Sequence, residues 1–173
     1  MNRLRKATLD DLHQVVVIIE GAKQLLKEEG LTQWQSGSPN EHTIKQDIQN
    51  ETCFVLEVDG DVAATVNLSK TPDPNYADID GFWQNPEAPY GTIHRLAVHP
   101  LYRTEGLGRI VIEKSIQWAY ENNIMQVRID THLKNYRMIY LLQKFRFEYA
   151  GVIEVDDPID PKRNAYQYFI ETF

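Results

Sequence analysis

The stretch His99–Ile110, "HPLYRTEGLGRI", decides the fold, because it places Gly106 and Gly108 behind Arg103 and ahead of a helix-like run. It does not match the dinucleotide fingerprint G-x-G-x-x-G, since Val111 stands where the third glycine is required. It does not match the phosphate loop G-x-x-x-x-G-K-[ST] either. The sequence therefore does not match the two commonest motifs of a glycine-rich turn.

The residues on both sides of this stretch predict a turn between a strand and a helix. "TIHRLAV" (92–98) predicts a strand, and apolar residues recur at helical spacing after Gly106. The start of such a helix carries unpaired backbone N–H groups and the positive end of the helix dipole. It can hold an anion, and glycines let a diphosphate approach the backbone closely. A charge-assisted contact from Arg103 would strengthen that site.

Length and composition limit the class of protein. A chain of 173 residues is expected to form one domain, over residues 1–173. The net charge of −7, with acidic and basic residues mixed, argues against a nucleic-acid partner. The single cysteine, Cys53, fits a reducing compartment. With no apolar run near the roughly 18 residues of a membrane span and no secretory signal at the start, we expect a cytoplasmic protein without a membrane partner.

Hydrophobic periodicity predicts the order strand, helix, short helix, three strands, helix, strand, helix, two strands. Thr8 and Asp11 predict a capping box at the first helix, and Gly30 predicts its end. The aromatic-rich stretch Lys70–Gly91 is expected to be an ordered, functional loop. The order indicates an α/β fold with a mixed, mostly antiparallel central sheet of about 7 strands flanked by about 4 helices. The strands on either side of the helix after Gly106 should be parallel neighbours.

Two segments resemble one family. Residues 93–119, "IHRLAVHPLYRTEGLGRIVIEKSIQWA", resemble the acetyl-CoA-binding core of the GCN5-related N-acetyltransferases, the GNAT superfamily, whose signature is [RQ]-x-x-G-x-[GA] after a strand ending in a sequence such as "LAVHP". Residues 135–147, "NYRMIYLLQKFRF", resemble the family pattern N-x-x-A-x-x-L-Y-x-K-x-G-F. Because the element order is also similar from Leu4 onward, the resemblance implies the acyl-CoA N-acyltransferase fold.

The resemblance implies acetyl-CoA as cosubstrate and assigns the residues that bind it. In such enzymes backbone amides of the turn hold the CoA pyrophosphate, here those of Thr104, Glu105, Gly106, Leu107, Gly108 and Arg109, and Arg103 opens that loop. The strand with Leu96 and Val98 offers backbone groups to the pantetheine arm, and one amide there polarises the thioester carbonyl. Asn135 is similar to a family asparagine that contacts the cofactor near its pantetheine end.

The catalytic residues are predicted separately. His94 is the candidate general base, because a histidine can accept the amine proton near neutral pH and "IHRLAVH" resembles the histidine-bearing strand of the serotonin N-acetyltransferases. Strand alternation places His94, Leu96 and Val98 on one face and Arg95 on the other. A buried structural histidine and a water relay are the alternatives.

Two positions depart from the family pattern. The family tyrosine that protonates the departing thiolate is replaced by Leu142, and a family glycine by Arg146. Tyr140 is the candidate acid, although it lies about 200° around the helix from position 142. A surface or packing tyrosine is the alternative.

The acceptor is expected to be a primary amine on a small molecule or a peptide. Trp34 and Trp83, in loops near where this fold binds acceptors, are expected to wall the pocket, with plain packing as the alternative. No metal site is expected, since the histidines show no metal spacing, and His132 is expected to cap a turn. The sequence leaves open whether the protein is a homodimer.

The sequence therefore predicts an acetyl-CoA-dependent N-acetyltransferase that works by direct attack of the amine in a ternary complex. A CoA-binding sensor or scaffold with impaired catalysis is the alternative, and Leu142 is its motivating feature. A binder of nucleotide phosphates is a weaker alternative, because no lysine or hydroxyl follows Gly108.

Overall fold

The computed structural model describes residues 1–171, and within them it contains an eight-stranded sheet and four α-helices. The helices are α1 (Leu12–Glu28), α2 (Glu41–Gln49), α3 (Leu107–Glu121) and α4 (Tyr136–Lys144). The strands are β1 (Asn2–Lys6), β2 (Cys53–Val58), β3 (Asp61–Ser69), β4 (Asp80–Gly81), β5 (Gly91–Val98), β6 (Gln126–Thr131), β7 (Glu148–Glu154) and β8 (Lys162–Phe169). The predicted domain also includes Thr172 and Phe173, which lie outside the described residues.

The sheet has the strand order β1-β2-β3-β5-β6-β8-β7-β4. β5 and β6 run parallel, as predicted for the strands around α3, and the pairs β1–β2, β2–β3, β6–β8, β7–β8 and β4–β7 are antiparallel. The predicted mixed, mostly antiparallel sheet is confirmed. The strand β4 was not predicted, because it has two residues and lies within the stretch expected to be a loop.

The chain divides into two compact units. Unit 1 comprises Met1–Leu68 and His94–Ser115, and unit 2 comprises Ser69–Ile93 and the chain from Ile116 onward. The single domain over residues 1–173 stays a prediction.

Unit 1 has a core of aliphatic residues from α1, α2 and the strands beneath them. The predicted capping box is present, since the Asp11 carboxylate accepts a hydrogen bond from the Thr8 N–H, and α1 follows it. The helix ends at Glu28, and the predicted stop at Gly30 follows the C-cap Glu29, with φ of +78° at Gly30 and a Leu31 N–H bond to the Leu26 carbonyl. The core cluster consists of Ala7, Val15, Ile18, Ile19, Ile44, Ile48, Cys53, Val55 and Ala97.

Unit 2 contains the stretch 70–90, which packs on β7 and β8. Tyr76 and Trp83 are buried in one cluster with Ala150, Ile153 and Ala165. The Gln167 side chain fixes this stretch in both directions: its Oε1 accepts from the Gln84 N–H at 2.8 Å and its Nε2 donates to the Gln84 carbonyl at 3.0 Å. A side chain of β8 thus supplies hydrogen bonds that a neighbouring strand would otherwise make.

Within residues 1–171, no helix is both long and apolar enough to cross a membrane.

Candidate functional site

The glycine turn joins β5 to α3 within unit 1. After β5 ends at Val98, residues Pro100–Tyr102 form one 3-10 turn, and α3 begins at Leu107. Gly106, directly before the helix, has φ of +68°, a left-handed conformation that favours glycine. No atom lies within 4 Å of the position that a Cβ on Gly106 would take. The residues at 103–106 are exposed, while Leu107 is buried and fixes the first turn of the helix.

The start of this turn is attached to β3 and α1. The His99 N–H donates to the Ala63 carbonyl at 2.8 Å, and His99 Nδ1 accepts from the Leu101 N–H at 3.1 Å. Arg103 Nη2 donates to the Gly21 carbonyl of α1 at 2.8 Å. Gly21 allows this approach, because a Cβ there would lie 2.8 Å from Pro100 Cγ. Arg103 therefore anchors the turn on α1, and its contact with a pyrophosphate stays a prediction.

The backbone of β5 is irregular at Arg95, where φ is +51°. The Arg95 guanidinium pairs with Asp47 of α2, and Ala97 belongs to the core cluster with α1 and α2. Arg95 and Ala97 therefore share the face that these helices cover, as alternation predicts for positions 95 and 97. Leu96 and Val98 alternate with them, and the predicted common face of His94, Leu96 and Val98 stays a prediction.

In unit 2, Asn135 is the N-cap of α4. Its Oδ1 accepts from the Met138 N–H at 3.3 Å, and its own N–H donates to the His132 carbonyl at 3.0 Å. His132 is buried, accepts from the Lys134 N–H through Nδ1 and contacts Asp160 Oδ2 at 2.7 Å through Nε2. Because Nδ1 accepts, Nε2 carries the proton toward Asp160. The expected turn-capping role of His132 is thus seen, and the cap holds Asn135 at the helix start.

The remaining positions of α4 have distinct environments. Leu142 is fully buried, whereas Tyr140 is 60% exposed with Lys144 Nζ 4.8 Å from its ring centroid. Arg146 has φ of +63° and follows the helix at the residue where many helices carry glycine. The Arg146 and Phe147 N–H groups bond the Gln143 and Leu142 carbonyls, which completes the helix cap. Arg146, where the resemblance implies a glycine, thus has a left-handed conformation that favours glycine.

The two tryptophans differ in position. Trp34 lies between α1 and α2 with φ of +65°, in a turn closed by a Gln35 N–H bond to the Thr32 carbonyl, and packs partly against the unit 1 core. Trp83 is buried in unit 2, where its Nε1 donates to the Tyr76 carbonyl at 2.9 Å. The structure therefore gives Trp83 a packing role, and a place for either ring in an acceptor pocket stays a prediction.

Sequence reasoning missed two charged groups. Asp47 is 8% exposed and pairs with Arg95. Arg128 of β6 is 3% exposed, and its Nη2 has no hydrogen-bond partner. Its guanidinium carbon lies 4.3 Å from the ring centroid of Trp83 and 3.9 Å from that of Tyr90. Burial lowers the pKa of Arg128. Neither group belongs to a motif, so no pattern in the sequence indicated it.

Tyr76 and Asp130 form a further buried contact in unit 2. The Tyr76 hydroxyl donates to Asp130 Oδ2 at 2.7 Å, and burial raises the pKa of Tyr76 well above its usual value. The hydroxyl therefore stays protonated and remains a donor. In the part of the chain that the structure describes, no three His, Cys, Asp or Glu residues are grouped to hold a metal.

Comparison with known proteins agrees with the fold. The acetyltransferase (GNAT) family model matches residues 19–147, which is more than half of the chain. A GNAT family acetyltransferase from Streptococcus agalactiae 2603 is 30% identical, with a TM-score of 0.89 over 99% of this chain and 96% of that one. The fold and the glycine turn thus define an acetyltransferase class. This chain belongs to the GNAT family.

More distant structures share the fold. A GNAT family acetyltransferase from Listeria monocytogenes 4b F2365 is 20% identical, with a TM-score of 0.77 over 98% of this chain and 95% of that one. The protein yncA from Salmonella typhimurium, solved with its cofactor acetyl-CoA, is 14% identical, with a TM-score of 0.70 over 100% of this chain and 96% of that one. The comparison with curated proteins finds no match.

Proposed function

We propose that this protein, as one domain, transfers the acetyl group of acetyl-CoA to a primary amine by direct attack in a ternary complex. The observation that carries the proposal is the exposed, left-handed Gly106 before α3, with open space above it. Membership of the GNAT family supports acetyl transfer, and the likeness to a fold solved with acetyl-CoA supports the cosubstrate. The lone, buried Cys53 supports a location in the cytoplasm.

The residues at 103–109 bind the cosubstrate in this proposal. The first N–H groups of α3 have no partner within the helix, and the helix dipole favours negative charge at that end. An exposed turn without side-chain atoms at Gly106 leaves these donors accessible to a pyrophosphate. Leu96 and Val98 contribute backbone groups of β5 to the pantetheine arm, and Asn135 contributes from the start of α4.

Acetyl-CoA supplies the thioester whose carbonyl carbon the amine attacks and whose thiolate leaves. His94 takes the amine proton, so that the nitrogen lone pair is available for attack. A backbone N–H of β5 donates to the carbonyl oxygen as negative charge develops there. Tyr140 gives a proton to the departing thiolate.

The acceptor is a small molecule or a peptide with a free amine, and the pocket residues of this proposal are Trp34 and Trp83. The net charge of −7 favours a cationic acceptor over an anionic one. An amine that is cationic in solution also needs the base assigned to His94, because only the neutral form attacks.

Binding and turnover test the proposal separately. We expect acetyl-CoA to raise the melting temperature, whereas ATP at the same concentration leaves it unchanged. Stabilisation by ATP alone would instead identify a binder of nucleotide phosphates. We then expect thiol release above background with at least one member of a panel of polyamines, amino acids and peptide N-termini.

The buried Leu142, at the position of the family acid, favours one second candidate, a CoA-binding sensor or scaffold. CoA binding without thiol release across the whole amine panel would support the sensor and contradict the enzyme.

Two variants test the assigned acid and base. His94→Ala should flatten the pH dependence of kcat/KM near neutrality, and an unchanged profile would remove His94 as the base. Tyr140→Phe should lower kcat by about a hundredfold or more, within the range of one general acid. Because Tyr140 is mostly exposed, this variant should unfold at the wild-type temperature. An unchanged kcat would remove Tyr140 as the acid.

A further inference from the structure

We propose that Asp47 of α2 is a positioning residue for acetyl transfer, because it holds the irregular backbone of β5 at Arg95. The inference rests on the function proposed above, in which the backbone of β5 polarises the thioester carbonyl. Asp47 touches neither substrate in this proposal and acts only through Arg95.

Arg95 differs in location from every other non-glycine residue with positive φ among residues 1–171. The non-glycine residues with positive φ are Trp34, Glu51, Asp59, Asn85, Arg95, Asn123 and Arg146. Arg95 alone among them lies inside a strand, and the others lie in turns, bends or helix ends. Residues with a Cβ rarely adopt this conformation, and it persists only where the surroundings hold it.

The ion pair with Asp47 supplies that hold. Arg95 Nε and Nη2 donate to Asp47 Oδ2 and Oδ1, each at 2.8 Å, in the forked geometry that fixes the orientation of a guanidinium. The Asp47 side chain is 12% exposed and the Arg95 side chain 27%, so the pair is less screened than one in open solvent.

The helix that carries Asp47 is itself fixed in the core of unit 1. Ile44 and Ile48 of α2 are buried in the same cluster as Ala97, two residues beyond Arg95 on β5. The Asn40 side chain accepts from the Thr43 N–H at 3.1 Å and caps the start of α2. The capped and packed helix α2 therefore holds the Asp47 carboxylate in place against the Arg95 side chain of β5.

The position of Arg95 in β5 makes this contact relevant to catalysis. Arg95 lies between His94, the proposed base, and Leu96, whose backbone is proposed to meet the pantetheine arm. A change of φ at Arg95 turns the peptide groups on both sides of it. Misplacement of an oriented donor by about 1 Å can cost about a hundredfold in rate. Loss of the ion pair should therefore reduce kcat more than it reduces cofactor binding.

Asp11 offers a matched control within the same unit. Arg5 Nη1 and Nη2 donate to Asp11 Oδ2 and Oδ1 at 2.8 and 2.9 Å, and Asp11 is 7% exposed. Arg5 lies in the edge strand β1, pairs also with Glu57, and is not among the residues with positive φ. Loss of the Arg5–Asp11 pair should therefore affect stability alone.

The experiment compares Asp47→Asn with Asp11→Asn in the full chain, using kcat, KM for acetyl-CoA and the melting temperature. Both variants should melt at a lower temperature. Asp47→Asn should lower kcat by about tenfold to a hundredfold with KM changed by about twofold or less, whereas Asp11→Asn should keep kcat within about twofold. In an Arg95→Ala background, Asp47→Asn should cause no further loss of kcat.

The outcomes separate this inference from the proposed function. An unchanged kcat in Asp47→Asn, an equal loss in Asp11→Asn, or a further loss in the Arg95→Ala background would each overturn the role of Asp47. Absence of turnover in the wild-type protein would instead overturn the proposed function. If Asp47→Asn does not fold, Arg95→Lys serves in its place, because it keeps the charge, loses the forked contact and should show the same fall in kcat.

Discussion

Substitutions at Gly106 distinguish two properties of this residue: its left-handed backbone, which affects stability, and the open space above it, which affects CoA binding. A left-handed conformation costs a residue with a Cβ about 1–2 kcal/mol relative to glycine. The Cβ of Gly106→Ala meets no atom within 4 Å, so no clash adds to that cost. We therefore expect the free energy of unfolding to fall by about 1 kcal/mol, which lowers the melting temperature by about 2–4 °C in a chain of this size.

Gly106→Glu has the same backbone cost and in addition places a negative charge where the CoA pyrophosphate is proposed to bind. Two unit charges 4 Å apart repel by about 4 kcal/mol at the effective dielectric constant typical near a protein surface. A repulsion of half that size, about 2 kcal/mol, weakens binding about thirtyfold. We therefore expect Gly106→Glu to bind CoA at least about thirtyfold more weakly than the wild-type protein, with Gly106→Ala between the two.

Gly60 provides the control for both substitutions. It lies in the turn between β2 and β3 with φ of +92° and, like Gly106, has no atom within 4 Å of a Cβ position. Gly60→Ala and Gly60→Glu should therefore lower the melting temperature as the Gly106 variants do and leave CoA affinity unchanged. Thermal unfolding followed by circular dichroism and titration calorimetry with CoA measure the two effects. Wild-type affinity in Gly106→Glu, or equal loss in Gly60→Glu, would refute the placement of the pyrophosphate.

Three further predictions concern stability. Arg146→Gly should raise the free energy of unfolding by about 0.5–1 kcal/mol, because glycine adopts the left-handed helix end without strain; a lower urea midpoint would contradict this. Burial raises the pKa of the Cys53 thiol to about 11 from 9.0, so a thiol reagent should not label the folded protein at neutral pH. Because the unfolded thiol ionises first, stability should also fall as pH rises through that interval, and Cys53→Ala should reduce the fall. Arg128→Met should change the free energy of unfolding by about 1 kcal/mol or less, because the loss of the cation–π contacts is offset by the removal of an unpaired buried donor. Arg128→Ala should cost several times more, because it leaves a cavity. Equal losses in the two variants would refute this reasoning.

Features that depend on neighbouring residues could be predicted from the sequence. The glycine turn, the capping box of Thr8 and Asp11, and the helix end at Gly30 each follow from the conformational preferences of a few consecutive residues. Most strand positions follow from hydrophobic periodicity. The strand β4 did not, because two residues are too few for any periodicity to show.

Features that depend on long-range contacts could not be predicted. Asp47 and Arg95 are 48 residues apart in sequence, and nothing near either residue indicates the other. Arg128 lies on a strand whose even positions, Gln126, Arg128 and Asp130, face polar or aromatic side chains of unit 2. Alternation alone predicted a strand there and gave no sign of a buried charge.

The two departures from the family pattern in α4 have different physical meanings. At Arg146 the backbone is left-handed, and the Arg146 and Phe147 N–H groups make capping hydrogen bonds. A glycine could adopt the same backbone, so the side chain at this position should change stability and not the path of the chain. At Leu142 the side chain is fully buried, while Tyr140 is mostly exposed, in agreement with their separation of about 200° around the helix. A tyrosine at position 142 would bury its hydroxyl in the core. An acid on α4 that reaches the substrate is therefore expected on another face of the helix. Tyr140 lies on that face, and for that reason its substitution by phenylalanine tests the chemistry without disturbing the core.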